Sequence, residues 1–320
     1  MKILHKIIII TSILCSIKLL SIPNLTSENT ILIFDIDEVV IKESFWIKPK
    51  LLLGGIYQNP FNAINYIYAF LNLKSAITPD AHNVIKALFD DYDNPINGIT
   101  FILLYQGMRD PLLTQYVAWI LETMEYSRSF IDGTHEIMSY LKEKGYTIVF
   151  ATNKDHVSYD MTVQVFGEKF TNLATKTFVA QPGNTPATLA QLKEFANQPT
   201  TNQSYKQLTY RALTIQPTET VVHVPSTKPN IEYFQYIENI VGVDKNIMFI
   251  DDQAKNVNGF NKLQETSLAL RYGIQFENAK QLAAELIKLG ILSVEDDKEF
   301  LVKKGMYKNI PSAAQQAQAN

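Results

Sequence analysis

Three short apolar runs in this chain each stop abruptly at polar residues, and that recurrence limits the folds open to it more than any other feature. The first, Thr30-Ile-Leu-Ile-Phe, runs into Asp35, Ile36 and Asp37. The second, Tyr146-Thr-Ile-Val-Phe-Ala, ends at Thr152 and Asn153; the third, Asn246-Ile-Met-Phe-Ile, ends at Asp251 and Asp252. Such runs read as strands buried on both faces, the kind found inside a parallel sheet. Polar groups at the same end of each run belong where the strands open onto a crevice, since open α/β sheets bind ligands at strand carboxyl ends. Asp35 and Asp37 stand two positions apart. On an extended backbone both side chains leave one side, so both can address one metal ion or one phosphoryl group. An isolated D-x-D fits a solvated turn equally well; the two later runs favour a site.

Between the second and third runs, Lys228-Pro229-Asn230 opens a helical pattern. With Pro at the first turn, the lysine ammonium points back at the strand ends. Asn256 follows Asp252 by four residues.

Together these residues resemble the four motifs of the haloacid dehalogenase (HAD)-like phosphohydrolase superfamily. The motifs are D-x-D-x-V at Asp35 to Val39, a strand ending in Thr152-Asn153, a lysine at Lys228, and D-D-x-x-x-N at Asp251 to Asn256. The resemblance covers Thr30 to Leu292, and four motifs in order are far more specific than one. Glu38 stands where Gly is more usual. Asp35-Ile-Asp37-Glu38 is also similar to the D-x-D-E-T opening of secreted bacterial acid phosphatases, with Val39 in place of Thr.

The resemblance implies an α/β, Rossmann-like parallel sheet flanked by helices, with a mostly helical cap inserted after the first strand. It implies a Mg2+-dependent phosphomonoesterase acting on a small phosphorylated compound. Asp35 would be the nucleophile that forms an aspartyl-phosphate, and Asp37 the general acid and then base. That role asks for a raised pKa, expected from burial beside other carboxylates. Thr152 and Asn153 would donate to phosphoryl oxygens, and Lys228 would balance the charge. Mg2+ would take a carboxylate oxygen of Asp35, the backbone carbonyl of Asp37 and the carboxylate of Asp252. Asp251 would lie beside it, with the choice between Asp251 and Asp252 left open and Asn256 in support. Asp37 disfavours dehalogenation, in which no leaving alkoxide needs a proton. A phosphomutase or phosphotransferase on the same residues, and a non-catalytic binding protein on the same fold, stay open.

The segment 43–128 between the first two motifs carries helical patterns over Phe61 to Leu73, Pro79 to Phe89 and Asp110 to Tyr126, the last opened by Asp110-Pro111. These form the expected cap, with the catalytic core in 28–42 and 129–305. Within the core, an amphipathic helix is expected over Gly133 to Lys144, capped by Gly145. Further expectations are a short strand at Lys176 to Ala180, a helix over Ile231 to Val241 with Tyr233, Ile237, Ile240 and Val241 against the sheet, a strand at Leu268 to Tyr272, and a helix over Ala279 to Leu289. The stretch 181–220, poor in charge and rich in Gln, Thr, Asn and Pro, reads as a polar surface insertion or second lid, or as disorder around Gln198 to Gln203. The tail 306–320 reads as disordered.

Residues 1–27 have a short basic start (Lys2, Lys6) and an apolar stretch Ile7 to Ser16 broken by Lys18. This is expected to be a secretory signal, cleaved after Ser21 or Ser27, which places the protein outside the cytoplasm, secreted or periplasmic; an uncleaved membrane anchor and a cytoplasmic chain are the alternatives. A net charge of −3 with no Lys/Arg block argues against a nucleic-acid surface. Cys15 is the only cysteine, which excludes a disulfide within the chain and any zinc site of several thiolates. The five histidines show no metal-binding spacing. Arg109 and Arg128 could hold a second anionic group of a substrate.

Overall fold

The structure, a computed structural model, describes residues 24–42, 128–180 and 215–306. The expected signal segment up to residue 23, the cap from 43 to 127, the polar insertion from 181 to 214 and the tail from 307 lie outside the described residues. Residues 24–27 belong with the core: Leu25 is buried in it, and the Tyr146 hydroxyl donates to the Leu25 carbonyl at 3.2 Å. Cleavage after Ser27 would remove that contact, whereas cleavage after Ser21 would keep it.

All three apolar runs form strands. They are β1 (Thr30–Phe34), β4 (Thr147–Thr152) and β7 (Asn246–Asp251). With β5 (Lys176–Ala180), β6 (Val221–Val224) and β8 (Arg271–Gln275) they make a six-stranded sheet in the order β6-β5-β4-β1-β7-β8, every pair parallel. A two-residue ribbon, β2 (Ile41–Lys42) against β3 (Ser129–Phe130), closes the two ends of the 43–127 segment onto each other. The architecture is the α/β, Rossmann-like parallel sheet flanked by helices that the sequence predicts.

Both faces of the sheet are covered, and the two-residue period of the strands sorts their side chains between two cores. Leu32, Phe34, Ile148, Phe150, Met248 and Ile250 face one way. There they meet Ile137, Met138 and Leu141 of α1 (Thr134–Glu143) and Leu282, Ala283 and Leu286 of α6 (Ala279–Lys288). Ile31, Ile33, Val149, Ala151, Phe178, Ile247 and Phe249 face the other way. Their partners are Tyr233, Phe234 and Ile237 of α4 (Ile231–Val241) and Phe260 of α5 (Ala254–Asn261). Each such aromatic or branched side chain contributes about 1.5–3 kcal/mol on burial.

Several local expectations shift. The helix after Gly133 has Lys144 as its C-cap, and Gly145, at φ 87°, stands one residue beyond. Tyr146 N–H returns to the Leu141 carbonyl, which turns the chain directly into β4. In α4, Phe234 joins Tyr233 and Ile237 on the buried face, whereas Ile240, in the last turn at one margin of that face, is exposed. The last strand starts at Arg271, not Leu268, which is fully exposed. The Arg271 guanidinium is buried against the Glu238 carboxylate and the Val243 and Lys245 carbonyls, and this ties the register. Pro229 lies before the Asn230 N-cap of α4, not in its first turn. Strand β6, the helices α2 (His156–Phe166), α3 (Glu168–Thr171) and α7 (Lys298–Lys303), and a buried Met306 have no counterpart in the sequence reading.

At Gly259 in α5, an added Cβ would stand 2.3 Å from the Pro229 carbonyl oxygen. Only glycine lets α5 approach the segment that carries Lys228. Gly259→Ala is therefore expected to cost about 1–3 kcal/mol of stability by overpacking, measured by denaturant unfolding. At the sheet edge, His223 Nε2 lies 2.8 Å from His156 Nδ1, and burial together with His156 pushes His223 down to about 4 from an ordinary 6.5. Above pH 6.5 it is neutral folded or unfolded. Between 6.5 and about 4 the unfolded chain takes a proton that the folded chain refuses, so stability falls with falling pH, and below about 4 the loss stops growing. Unfolding midpoints of His223→Gln should show a flatter pH dependence across that window.

Candidate functional site

The strand order places β1 between β4 and β7, so the ends of the three apolar runs stand side by side. The carboxyl ends of β1 and β7 carry Asp35 and Asp251, and the end of β4 carries Thr152 and Asn153. Lys228 comes from the loop between β6 and α4. Its ammonium is 2.9 Å from Asp35 Oδ1 and 2.7 Å from Asp251 Oδ2, and its side chain is 1% exposed. The Phe249 ring lies 5.6 Å below it. Burial alone would lower this lysine; Asp251 and Asp35 outweigh it and hold the ammonium well above its ordinary value.

Asn153 fixes the backbone of that lysine. The Lys228 N–H donates to Asn153 Oδ1 at 2.8 Å and Asn153 Nδ2 donates to the Lys228 carbonyl at 3.1 Å. Its amide therefore clasps a chain segment; the expectation had it donating to a phosphoryl group. Thr152 is buried, and its hydroxyl accepts from the Lys154 N–H at 3.1 Å. Beneath it, the buried Tyr233 hydroxyl donates to the Thr152 carbonyl at 3.1 Å.

The two carboxylates of the third run differ in employment. Asp251 is fully buried: besides Lys228 it accepts from the Gln253 N–H at 2.9 Å and from Asn256 Nδ2 at 3.0 and 3.2 Å. Asp252 keeps Oδ1 buried with no hydrogen-bond partner among the described residues. Its carboxylate lies within 4.8 Å of those of Asp35 and Asp251. Burial and then Asp251 push Asp252 up to about 6, and burial pushes Asp35 well above the carboxylate range despite Lys228. Three carboxylates stand close to one ammonium. That donor set, all oxygen and short of positive charge, fits a hard divalent cation, and Asp252 has the oxygen with the fewest hydrogen bonds to give up.

Asp35 and Asp37 do not converge. The chain leaves the sheet after Phe34, and Asp35 Oδ1 turns back to accept from its neighbour Ile36 N–H at 2.7 Å as well as from Lys228. Glu38 then adopts φ 58°, a left-handed backbone usual for glycine, and the turn brings the Glu38 N–H to the Ile41 carbonyl at 2.7 Å. The Asp37 carboxylate meets two other cations, Arg128 and Lys154, the latter at 3.3 Å. Burial alone would raise Asp37, but Lys154 and Arg128 together hold it below the usual carboxylate range. The expectation of a raised Asp37 is therefore reversed in this arrangement; the raised carboxyls are Asp35 and Asp252. Lys154 was absent from the sequence reading, although its place directly after Thr152-Asn153, at a strand end, was a usable signal. Arg109 lies outside the described residues.

No family model matches the sequence, and neither does any curated protein. Solved structures similar to it include the HAD-hydrolase YfnB from Bacillus subtilis bound to magnesium, at 15% identity over 81% of this chain and 98% of that one, with a TM-score of 0.42. A HAD family hydrolase from Deinococcus radiodurans R1 with bound phosphate and sodium is 11% identical over 82% and 97%, with a TM-score of 0.38. The L-2-haloacid dehalogenase from Xanthobacter autotrophicus with chloropropionic acid covalently bound is 9% identical over 85% and 87%, with a TM-score of 0.37. TM-scores this low carry no argument, so the chemistry is read from the residues of this chain alone.

Lys228→Met would leave Asp35 and Asp251 buried without their shared cation. Removing one partner of a buried pair costs about 3–5 kcal/mol. Denaturant unfolding in the presence of chelator should show that loss at pH 8 and a smaller one at pH 5, where protonation neutralises the stranded carboxyls.

Proposed function

We propose that this protein is a HAD-like, Mg2+-dependent phosphomonoesterase acting on a small phosphorylated compound. The observation that carries this reading is the group Asp35, Asp251 and Asp252 around one buried lysine, at the ends of the two central strands β1 and β7. The apolar N-terminal segment supports action outside the cytoplasm, in a secreted or periplasmic protein.

Asp35, Asp252 and the Asp37 backbone carbonyl would hold the Mg2+, with Asp251 beside them. The ion supplies the positive charge that lets a phosphate dianion approach these carboxylates. Asp35 attacks phosphorus through its free oxygen, the P–O bond to the leaving group breaks, and Asp35 becomes an aspartyl-phosphate. Asp37 gives its proton to the departing alkoxide, and its carboxylate then takes a proton from the water that attacks the same phosphorus. Free phosphate leaves and Asp35 is restored. Arg128 and Lys154 hold Asp37 ionised at rest, ready for the second step; the incoming dianion favours the protonated form needed for the first. Lys228 keeps one positive charge fixed beneath Asp35 throughout, costing no reorganisation as charge shifts. An Asp37 carboxylate two residues from the nucleophile in the chain, held by its own pair of cations, supports ester hydrolysis over dehalogenation.

The test is phosphate release from phenyl phosphate by the full chain. Activity should need Mg2+, vanish with chelator and fall at least about a thousandfold in Asp35→Asn. Asp252→Asn should lose Mg2+ binding by calorimetry. A wild type that releases no phosphate from a broad ester panel with Mg2+ present would overturn the reading.

A further inference from the structure

Besides Lys228, two more cations face the strand ends, and they sit on the leaving-group side. Lys154 follows the end of β4 directly, and Arg128 precedes β3 at the mouth of the ribbon. Their side chains are 8% and 12% exposed, yet both reach one oxygen, Asp37 Oδ1, on a carboxylate that is 36% exposed. Lys228, by contrast, is sealed beneath Asp35 and Asp251. Lys228 thus forms one cationic pole sealed under Asp35, and Arg128 with Lys154 forms a second at a carboxylate open to solvent on one side.

Backbone contacts brace the open pole. The Lys154 N–H donates to Thr152 Oγ1 and its carbonyl accepts from the Ala180 N–H at 3.0 Å, so the residue is tied to β4 and β5. Arg128 adjoins β3, whose Phe130 pairs with Ile41, and the next residue, Ile131, donates its N–H to Val40, three residues from Asp37. A guanidinium and an ammonium directed at one carboxylate oxygen from two separate elements form a preset anion receptor, of which Asp37 is one occupant.

We propose that Arg128 and Lys154 bind a second anionic group of the substrate, a carboxylate or second phosphate carried on the leaving group close to the scissile ester. This rests on the phosphomonoesterase reading for its orientation. In-line displacement from Asp35 sends the leaving oxygen toward the group that protonates it, so whatever that oxygen carries arrives beside the two cations on Asp37. An anion there gains charge-assisted hydrogen bonds, whereas a neutral tail gains none. The substrate class is then a phosphomonoester with at least one further negative charge.

The experiment compares phenylphosphonate with 3-carboxyphenylphosphonate, which cannot be hydrolysed, by calorimetry on the full chain with Mg2+, alongside turnover of the two corresponding phosphate esters. Wild type should bind the carboxylated phosphonate about tenfold more tightly. That ratio should fall toward one in Lys154→Met and in Arg128→Met and be largely retained in Lys154→Arg. A variant that merely disturbs Asp37 weakens both ligands alike and leaves the ratio intact, which would overturn the proposal. So would a ratio of one in wild type, whatever the state of the variants. Turnover of both esters without a binding ratio would leave the phosphatase reading standing alone. A ratio with no turnover of either ester would refute that reading and keep the anion site.

Discussion

One buried ammonium organises this molecule. Lys228 is closed off from solvent between Asp35 and Asp251, on strands that neighbour each other at the centre of the sheet. Two carboxylates could not be buried side by side there without a cation, because desolvation would neutralise them. Everything around the lysine serves its placement. Asn153 holds its backbone, Gly259 lets α5 pack against the residue after it, and Tyr233 and Phe249 line the space below. The site is charged because this one contact makes charge tolerable.

That arrangement also sets the electrostatic character of the cleft. Asp252 and Asp37 stand with Asp35 and Asp251 at the strand ends, and among the described residues the four carboxylates fall into two groups that share no cation. Asp35, Asp251 and Asp252 crowd around Lys228, and burial raises two of their pKa values. Asp37 is turned away to Arg128 and Lys154, which lower its own. Asp35 is pushed up and Asp37 down, the reverse of the order that a nucleophile at Asp35 and an acid at Asp37 would ask for, so a bound cation and a substrate dianion would have to offset both shifts.

The parts legible in the sequence are those fixed by local pattern. Strands buried on both faces announce themselves by unbroken apolar runs, and their polar ends locate the crevice, so β1, β4 and β7 and the residues at their tips were readable. Features set by distant partners were not. The start of β8 depends on Arg271 finding Glu238 in α4, and no window around Leu268 contains that information. Strand β6 is four residues after a polar stretch, too short for a period to emerge. The divergence of Asp35 from Asp37 depends on distant partners, Lys228 for the first and Arg128 and Lys154 for the second. The different hydrogen bonding of Asp251 and Asp252 depends on Lys228, Gln253 and Asn256 together, which no local pattern shows.

The short ribbon of β2 and β3 has an architectural consequence. The chain departs at Lys42 and returns at Ser129 as paired neighbours, so from the standpoint of the sheet the entire stretch between them is the loop of a hairpin. The entropy of closing a loop rises only logarithmically with its length. The fold of the core is therefore nearly indifferent to how long that loop is or what it contains. Such a graft point, a few residues from Asp35, allows what lies between Lys42 and Ser129 to change while Asp35 and its carboxylate neighbours stay where they are.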